Sequence, residues 1–89
     1  MIIGILKEPT EESRVAMLPE AVQTLLSWKV TVWVQQGAGT KAYASDEAYD
    51  AAGAQIKSRG EIISGADMIC TIQPLPKEEI QQMKPEAIS

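Results

Sequence analysis

The chain has no histidine and a single cysteine in 89 residues. Without histidine it lacks both the commonest general base and the commonest metal ligand. With one cysteine besides, no zinc site is expected and no internal disulfide can form. Cys70 lies in the apolar run Met68-Ile69-Cys70-Thr71-Ile72, where a thiol reads as buried and inert rather than nucleophilic.

Positive charge is also scarce. Eight Lys and Arg stand against twelve Asp and Glu, for a net charge of −4. No basic stripe is present to displace phosphate counterions, so nucleic acid is not an expected partner. An anionic membrane surface is disfavoured for the same reason. No apolar run approaches the ~18 residues of a membrane span. Met1–Leu6 is too short an apolar stretch for a signal peptide, so the expected location is cytoplasmic. Internal repeats and low-complexity stretches are absent as well. Hydrophobic residues make up 45% of the chain, which reads as one globular domain. A chain this size buries about 60% of its unfolded surface and folds with little margin.

What is present is an alternation of strand and helix signals. Ile2–Leu6 is a short apolar run without alternation, typical of a strand covered on both faces. Glu8–Ser13 is polar and interrupted by Pro9, hence a loop. Pro19 suits the first position of a helix, and Ala21, Val22, Leu25 and Leu26 recur along one helical face. Val30–Val34 is β-branched and aromatic, a second strand, which Gly37-Ala-Gly39 breaks. A second helix is expected between Ser45 as N-cap and Gly53 as the residue past its end. A third strand follows at Ala54–Lys57, a helix at Arg59–Ser64 stopped by Gly65, and a fourth strand at Asp67–Ile72 closed by Pro74 and Pro76. Lys77–Met83 reads as a helical turn or two, ended by Lys84-Pro85. This order predicts an α/β fold with a parallel sheet joined by right-handed crossovers. Ala87-Ile88-Ser89 reads as the start of a fifth strand that stops, so residues 1–89 are expected to be an incomplete piece of a longer protein.

Few groups carry candidate chemistry. Arg14 sits in the loop after the first strand among Glu8, Glu11 and Glu12. A guanidinium fork matches a carboxylate or phosphate in geometry and charge; equally, Arg14 fits a surface ion pair with a neighbouring glutamate. Lys7, at the strand end, invites the same two readings. Gln73 ends the fourth strand on the same rim of a parallel sheet, where it can hydrogen-bond a ligand or cap the strand. Gly37-Ala-Gly39-Thr-Lys-Ala42 matches G-x-G-x-x-A after a strand. A dinucleotide turn needs its helix to begin at once, yet the helix signal comes only after Ser45, so a tight turn is expected instead. Glu11-Glu12 and Glu78-Glu79 read as solvated faces. Trp28 and Trp33 read as core or edge packing.

Taken together, Ile3-Gly-Ile-Leu-Lys-Glu8, Arg14-Val-Ala16 with Pro19, Gly37-Ala-Gly39 and Ala51-Ala-Gly-Ala54 resemble a known family, in register from Met1 to about Pro76. It is the N-terminal domain shared by alanine dehydrogenase and the alpha subunit of proton-translocating NAD(P) transhydrogenase. The resemblance implies a flavodoxin-like, Rossmann-like parallel sheet with helices on both faces, packed beside a separate Rossmann domain that lies beyond Ser89. It implies NAD as cofactor, bound mainly by that second domain in the cleft between the two, and a homo-oligomer, at least a dimer. No catalytic residue is expected within this chain.

In alanine dehydrogenases the arginine of the R-V-A motif binds the pyruvate carboxylate, and it matches Arg14. A second substrate-binding residue of that family, a lysine, falls on Gln73. A neutral amide there forfeits a charge-assisted hydrogen bond to a keto acid, which favours the transhydrogenase branch. That branch implies NADP on a partner component, membrane components as further partners, and a place peripheral to the inner membrane. The alternatives are alanine dehydrogenase, with Arg14 as carboxylate anchor, and a binding module that kept the fold without the chemistry. Saccharopine dehydrogenases share a related N-terminal domain.

Overall fold

The computed structural model of the chain describes residues 1–9, 17–40, 44–72 and 75–83. Among the described residues eight elements alternate: β1 (Ile2–Ile5), α1 (Pro19–Leu26), β2 (Thr31–Gln35), α2 (Asp46–Ala51), β3 (Gln55–Lys57), α3 (Arg59–Gly65), β4 (Met68–Cys70) and α4 (Lys77–Gln82). The strands form one sheet in the order β3-β2-β1-β4, and every pair is parallel. The expected fifth strand lies outside the described residues.

Two cores sandwich the sheet. Ile5, Val32 and Val34 point to one face and pack with Val22 of α1 and Tyr49 of α2. Leu6 and Ile69 serve the other face with Ile62 and Ile63 of α3, joined by Trp33, Leu75 and Met83. Helices therefore cover both faces, as the unalternated apolar runs of the strands require. The chain steps outward through α1 and α2 on one face and returns through α3 on the other. That reversal is what crossovers of a single hand produce.

Local chemistry explains most element ends. Pro19 opens α1, where its missing N–H costs nothing. Ser45 caps α2 by accepting the Ala48 amide at 3.2 Å, and Gly53, past its end, takes a positive φ of 105°. Ser58 and Glu61 form a reciprocal capping box at the start of α3. Gly4 lets α3 lie close on β1, because a Cβ there would collide with Cγ2 of Ile62.

Three details differ from expectation. β4 is shorter than Asp67–Ile72 because its partner β1 ends at Ile5, which pairs with Cys70, leaving no ladder beyond it. On α1, Val22 is buried but Ala21 is exposed, since it falls at the edge of the stripe set by Val22, Leu25 and Leu26. Trp28 is not core: it is 68% exposed in the turn after α1, where Lys29 adopts φ 63° and swings the chain toward β2. Trp33 does pack, with Lys57 over its ring at 5.3 Å.

Candidate functional site

In this strand order β1 has β2 on one side and β4 on the other, and the chain reverses its direction of travel between them. Open parallel sheets bind ligands outside the carboxyl ends of the strands at such a switch point. Lys7, Glu8 and Pro9 leave β1 there, Gln35 ends β2, Arg59 follows β3, and Thr71 and Ile72 follow β4. A cleft of about 300 Å³ lies on this rim, lined by Lys7, Glu8, Pro9, Gln35, Arg59 and Pro76.

Glu8 is the buried acid of the rim, at 7% exposure. Its Oε2 accepts the Ile72 amide at 2.8 Å, linking the exits of β1 and β4. The opposite end of the same strand pair carries a matching link, with Asp67 Oδ2 accepting the Ile2 amide at 2.6 Å. Sequence reading placed Glu8 among the loop acids. Its burial goes with this bond, which draws the side chain against the residues that follow β4. Lys7 is exposed, and its ammonium reaches over the Gly37 turn.

Arg59 is the feature that sequence reasoning missed. Its Nη1 donates to the Lys7 carbonyl and to Gln35 Oε1, both at 3.0 Å. Nε and Nη2 donate to the two carboxylate oxygens of Glu79, the latter at 2.7 Å. This bidentate bond to Glu79 raises the guanidinium's pKa further and holds the Glu79 carboxyl below the usual carboxylate range. Glu79 is thus a partner in an ion pair rather than a solvated face, while Glu78 is exposed as expected. The Ser58-x-x-Glu61 spacing could have fixed where α3 starts. No local signal points to a pair twenty positions apart.

Arg14 and Gln73, the two residues singled out from the sequence for substrate binding, lie outside the described residues. Cys70 ends β4 half-buried, and burial pushes its thiol pKa up. Thiolate is correspondingly scarce there, although the residue is half-buried rather than buried as its apolar run suggests.

The described residues of the glycine turn do not take the form of a dinucleotide turn. The Gly37 amide donates to Asp46 Oδ1 at 2.8 Å, which ties the turn to the start of α2. Helix α2 starts only at Asp46, and its first turn carries the carboxylates Asp46 and Glu47, which repel phosphate. A second cavity beside it, about 390 Å³ and lined by Thr40, Ala44, Ser45, Asp46 and Glu47, has the same acidic character. Gly39 is there for packing: a Cβ would stand 2.7 Å from Tyr49 Cε2 and from the Ala44 carbonyl. Among the described residues no cluster of three or more His, Cys, Asp or Glu could hold a metal ion, and no helix is long and apolar enough to cross a membrane.

The fold defines a doubly wound α/β domain whose strand exits gather Lys7, Glu8, Gln35 and Arg59 on one rim. The chain belongs to the alanine dehydrogenase/PNT N-terminal domain family, whose model matches residues 4–89. It is 42% identical to the NAD(P) transhydrogenase subunit alpha of Haemophilus influenzae over 94% of this chain and 16% of that one. It is 39% identical to the alanine dehydrogenase of Bacillus subtilis over 90% of this chain and 22% of that one. The crystal structure of transhydrogenase from Sinorhizobium meliloti superimposes with a TM-score of 0.92 at 31% identity, covering 99% of this chain and 27% of that one. The relatives are oxidoreductases of both kinds, and the chain spans about a quarter of their length or less.

Proposed function

We propose that this chain is the N-terminal part of the NAD(H)-binding alpha subunit of a proton-translocating NAD(P) transhydrogenase. In this reading the parent protein passes hydride from NADH to NADP+ held on a partner component. A Rossmann domain elsewhere in the parent holds the NAD, and membrane components couple the transfer to proton movement. NAD supplies the hydride chemistry. Residues 1–89 form one wall of the interdomain cleft: Glu8 and Arg59 set the strand exits, and no group here donates or removes a proton.

The observation that carries the choice of branch is Gln73, a neutral amide in the sequence where the resemblance to alanine dehydrogenases calls for a lysine. A pyruvate carboxylate held by Arg14 would gain from a second cation, and an amide does not supply one. The acidic glycine turn supports placing the cofactor's phosphates on another domain. Alanine dehydrogenase is the second reading, favoured by Arg14 in its R-V-A motif and by the Bacillus subtilis relative. There the arginine anchors the keto acid, and reductive amination consumes NADH.

Replacing Arg14 with alanine in the full-length protein separates the two. Under the transhydrogenase reading, hydride transfer falls by no more than several-fold. Near-complete loss would move the assignment to the arginine-anchored reaction, because removing a charge-assisted bidentate contact to a small anion leaves little to hold it.

A further inference from the structure

Arg59 opens α3, yet its guanidinium reaches three other parts of the fold. It donates to the Lys7 carbonyl after β1, to Gln35 Oε1 at the end of β2, and to the Glu79 carboxylate on α4. Gln35 Oε1 also accepts the Lys7 amide at 2.8 Å. Both polar groups of the Lys7 backbone therefore end in one network centred on Arg59.

The planar guanidinium suits this task because its donors point in fixed directions to separate acceptors, which a lysine ammonium cannot reproduce. Glu79 fixes the plane of the fork by binding one edge through two bonds, so the remaining edge faces Lys7 and Gln35. Removing Arg59 leaves the Lys7 carbonyl and Gln35 Oε1 without their charged donor, and removing Glu79 leaves the fork free to turn away from them.

We infer that Arg59, oriented by Glu79, is a positioning residue that fixes the Lys7–Pro9 exit of β1 and thereby shapes the rim cleft. The inference deepens the proposed function and rests on it only in treating that cleft as a ligand-facing wall.

The test uses the full-length protein with three variants: Arg59→Gln, Glu79→Gln, and the reversed pair Arg59→Glu with Glu79→Arg. Hydrogen exchange reads the Lys7 amide directly. In Arg59→Gln it should exchange about tenfold faster or more, as expected on losing hydrogen bonds from a charged group, while the Val32–Val34 amides keep their protection. In Glu79→Gln the change should be smaller and in the same direction; this milder variant carries the test if the first does not fold.

The reversed pair restores the attraction between α3 and α4 but places a carboxylate against the Lys7 carbonyl. It should recover thermal stability without recovering Lys7 protection. In NADH-dependent turnover, Arg59→Gln should raise KM several-fold with a smaller change in kcat, and the reversed pair should not restore KM. Unaltered Lys7 protection in Arg59→Gln, or its full return in the reversed pair, would overturn the inference and leave Arg59 as one half of a surface ion pair. A parent protein without NADH-dependent turnover would sink the functional reading instead, and the exchange comparison would still decide the role of Arg59.

Discussion

The carboxylate of Glu8 accepts the backbone amide of Ile72 at 2.8 Å, joining residues sixty-four positions apart across the carboxyl exits of β1 and β4. Because these two strands flank the switch point, the bond sets the width of the rim where open parallel sheets receive ligands. Glu8→Ala should lower stability by about 1–3 kcal/mol, since it leaves a shielded N–H without its acceptor. Glu8→Gln, which keeps an oxygen at that position, should retain most of it. Urea unfolding midpoints check the order, and equal losses for the two variants would contradict the acceptor role.

Tyr49 is fully buried and donates its hydroxyl to the Met17 carbonyl at 2.6 Å, tying α2 to the segment that enters α1. Burial, with Glu20 and Asp46 nearby, pushes its pKa from 10.0 up to about 12. An acid whose folded pKa is raised stabilises the fold fully below its unfolded pKa and loses that contribution as pH rises through the folded value. Stability should therefore fall between about pH 10 and pH 12 through this group. Tyr49→Phe should remove that part of the fall while costing about 1–3 kcal/mol at neutral pH, from the orphaned Met17 carbonyl. Thermal melts of both proteins across this range provide the check.

Gly4 and Gly60 should respond oppositely to alanine. A methyl at Gly4 would strike Ile62 and Ala66, whereas a methyl at Gly60, in the first turn of α3, meets nothing within 4 Å. Gly4→Ala should destabilise by about 1–3 kcal/mol through overpacking. Gly60→Ala should stabilise by about 0.5 kcal/mol by narrowing the unfolded ensemble. If Gly4→Ala unfolds at the same denaturant concentration as the parent chain, the close seating of α3 on β1 is wrong.

Local patterns in the sequence disclosed the strands, the parallel order of elements and several caps. Val30–Val34 is β-branched enough to read as a strand alone, and Pro19, Ser45 and Gly53 mark helix ends by their own chemistry. The misses share a cause. Glu79 looked like half of a solvated acidic pair because its partner, Arg59, comes to it only when α3 and α4 meet on one face. Glu8 looked like a loop acid because its burial depends on β4 arriving beside β1. Trp28 looked like packing because its size says nothing about the left-handed turn at Lys29 that leaves it outside. Each is a tertiary consequence with no local periodicity to announce it. The glycine turn went the other way: the delay of the helix until after Ser45 was visible in the sequence, and α2 does begin at Asp46 with Ser45 as its cap. Arg14 and Gln73 remain sequence expectations, outside the described residues.

The most direct measurement is NADH consumption by the full-length protein with two alternative acceptors. The transhydrogenase reading expects reduction of an NADP+ analogue only when the partner components are added, and no consumption with pyruvate plus ammonium. NADH oxidation driven by pyruvate and ammonium, without any partner, would contradict it.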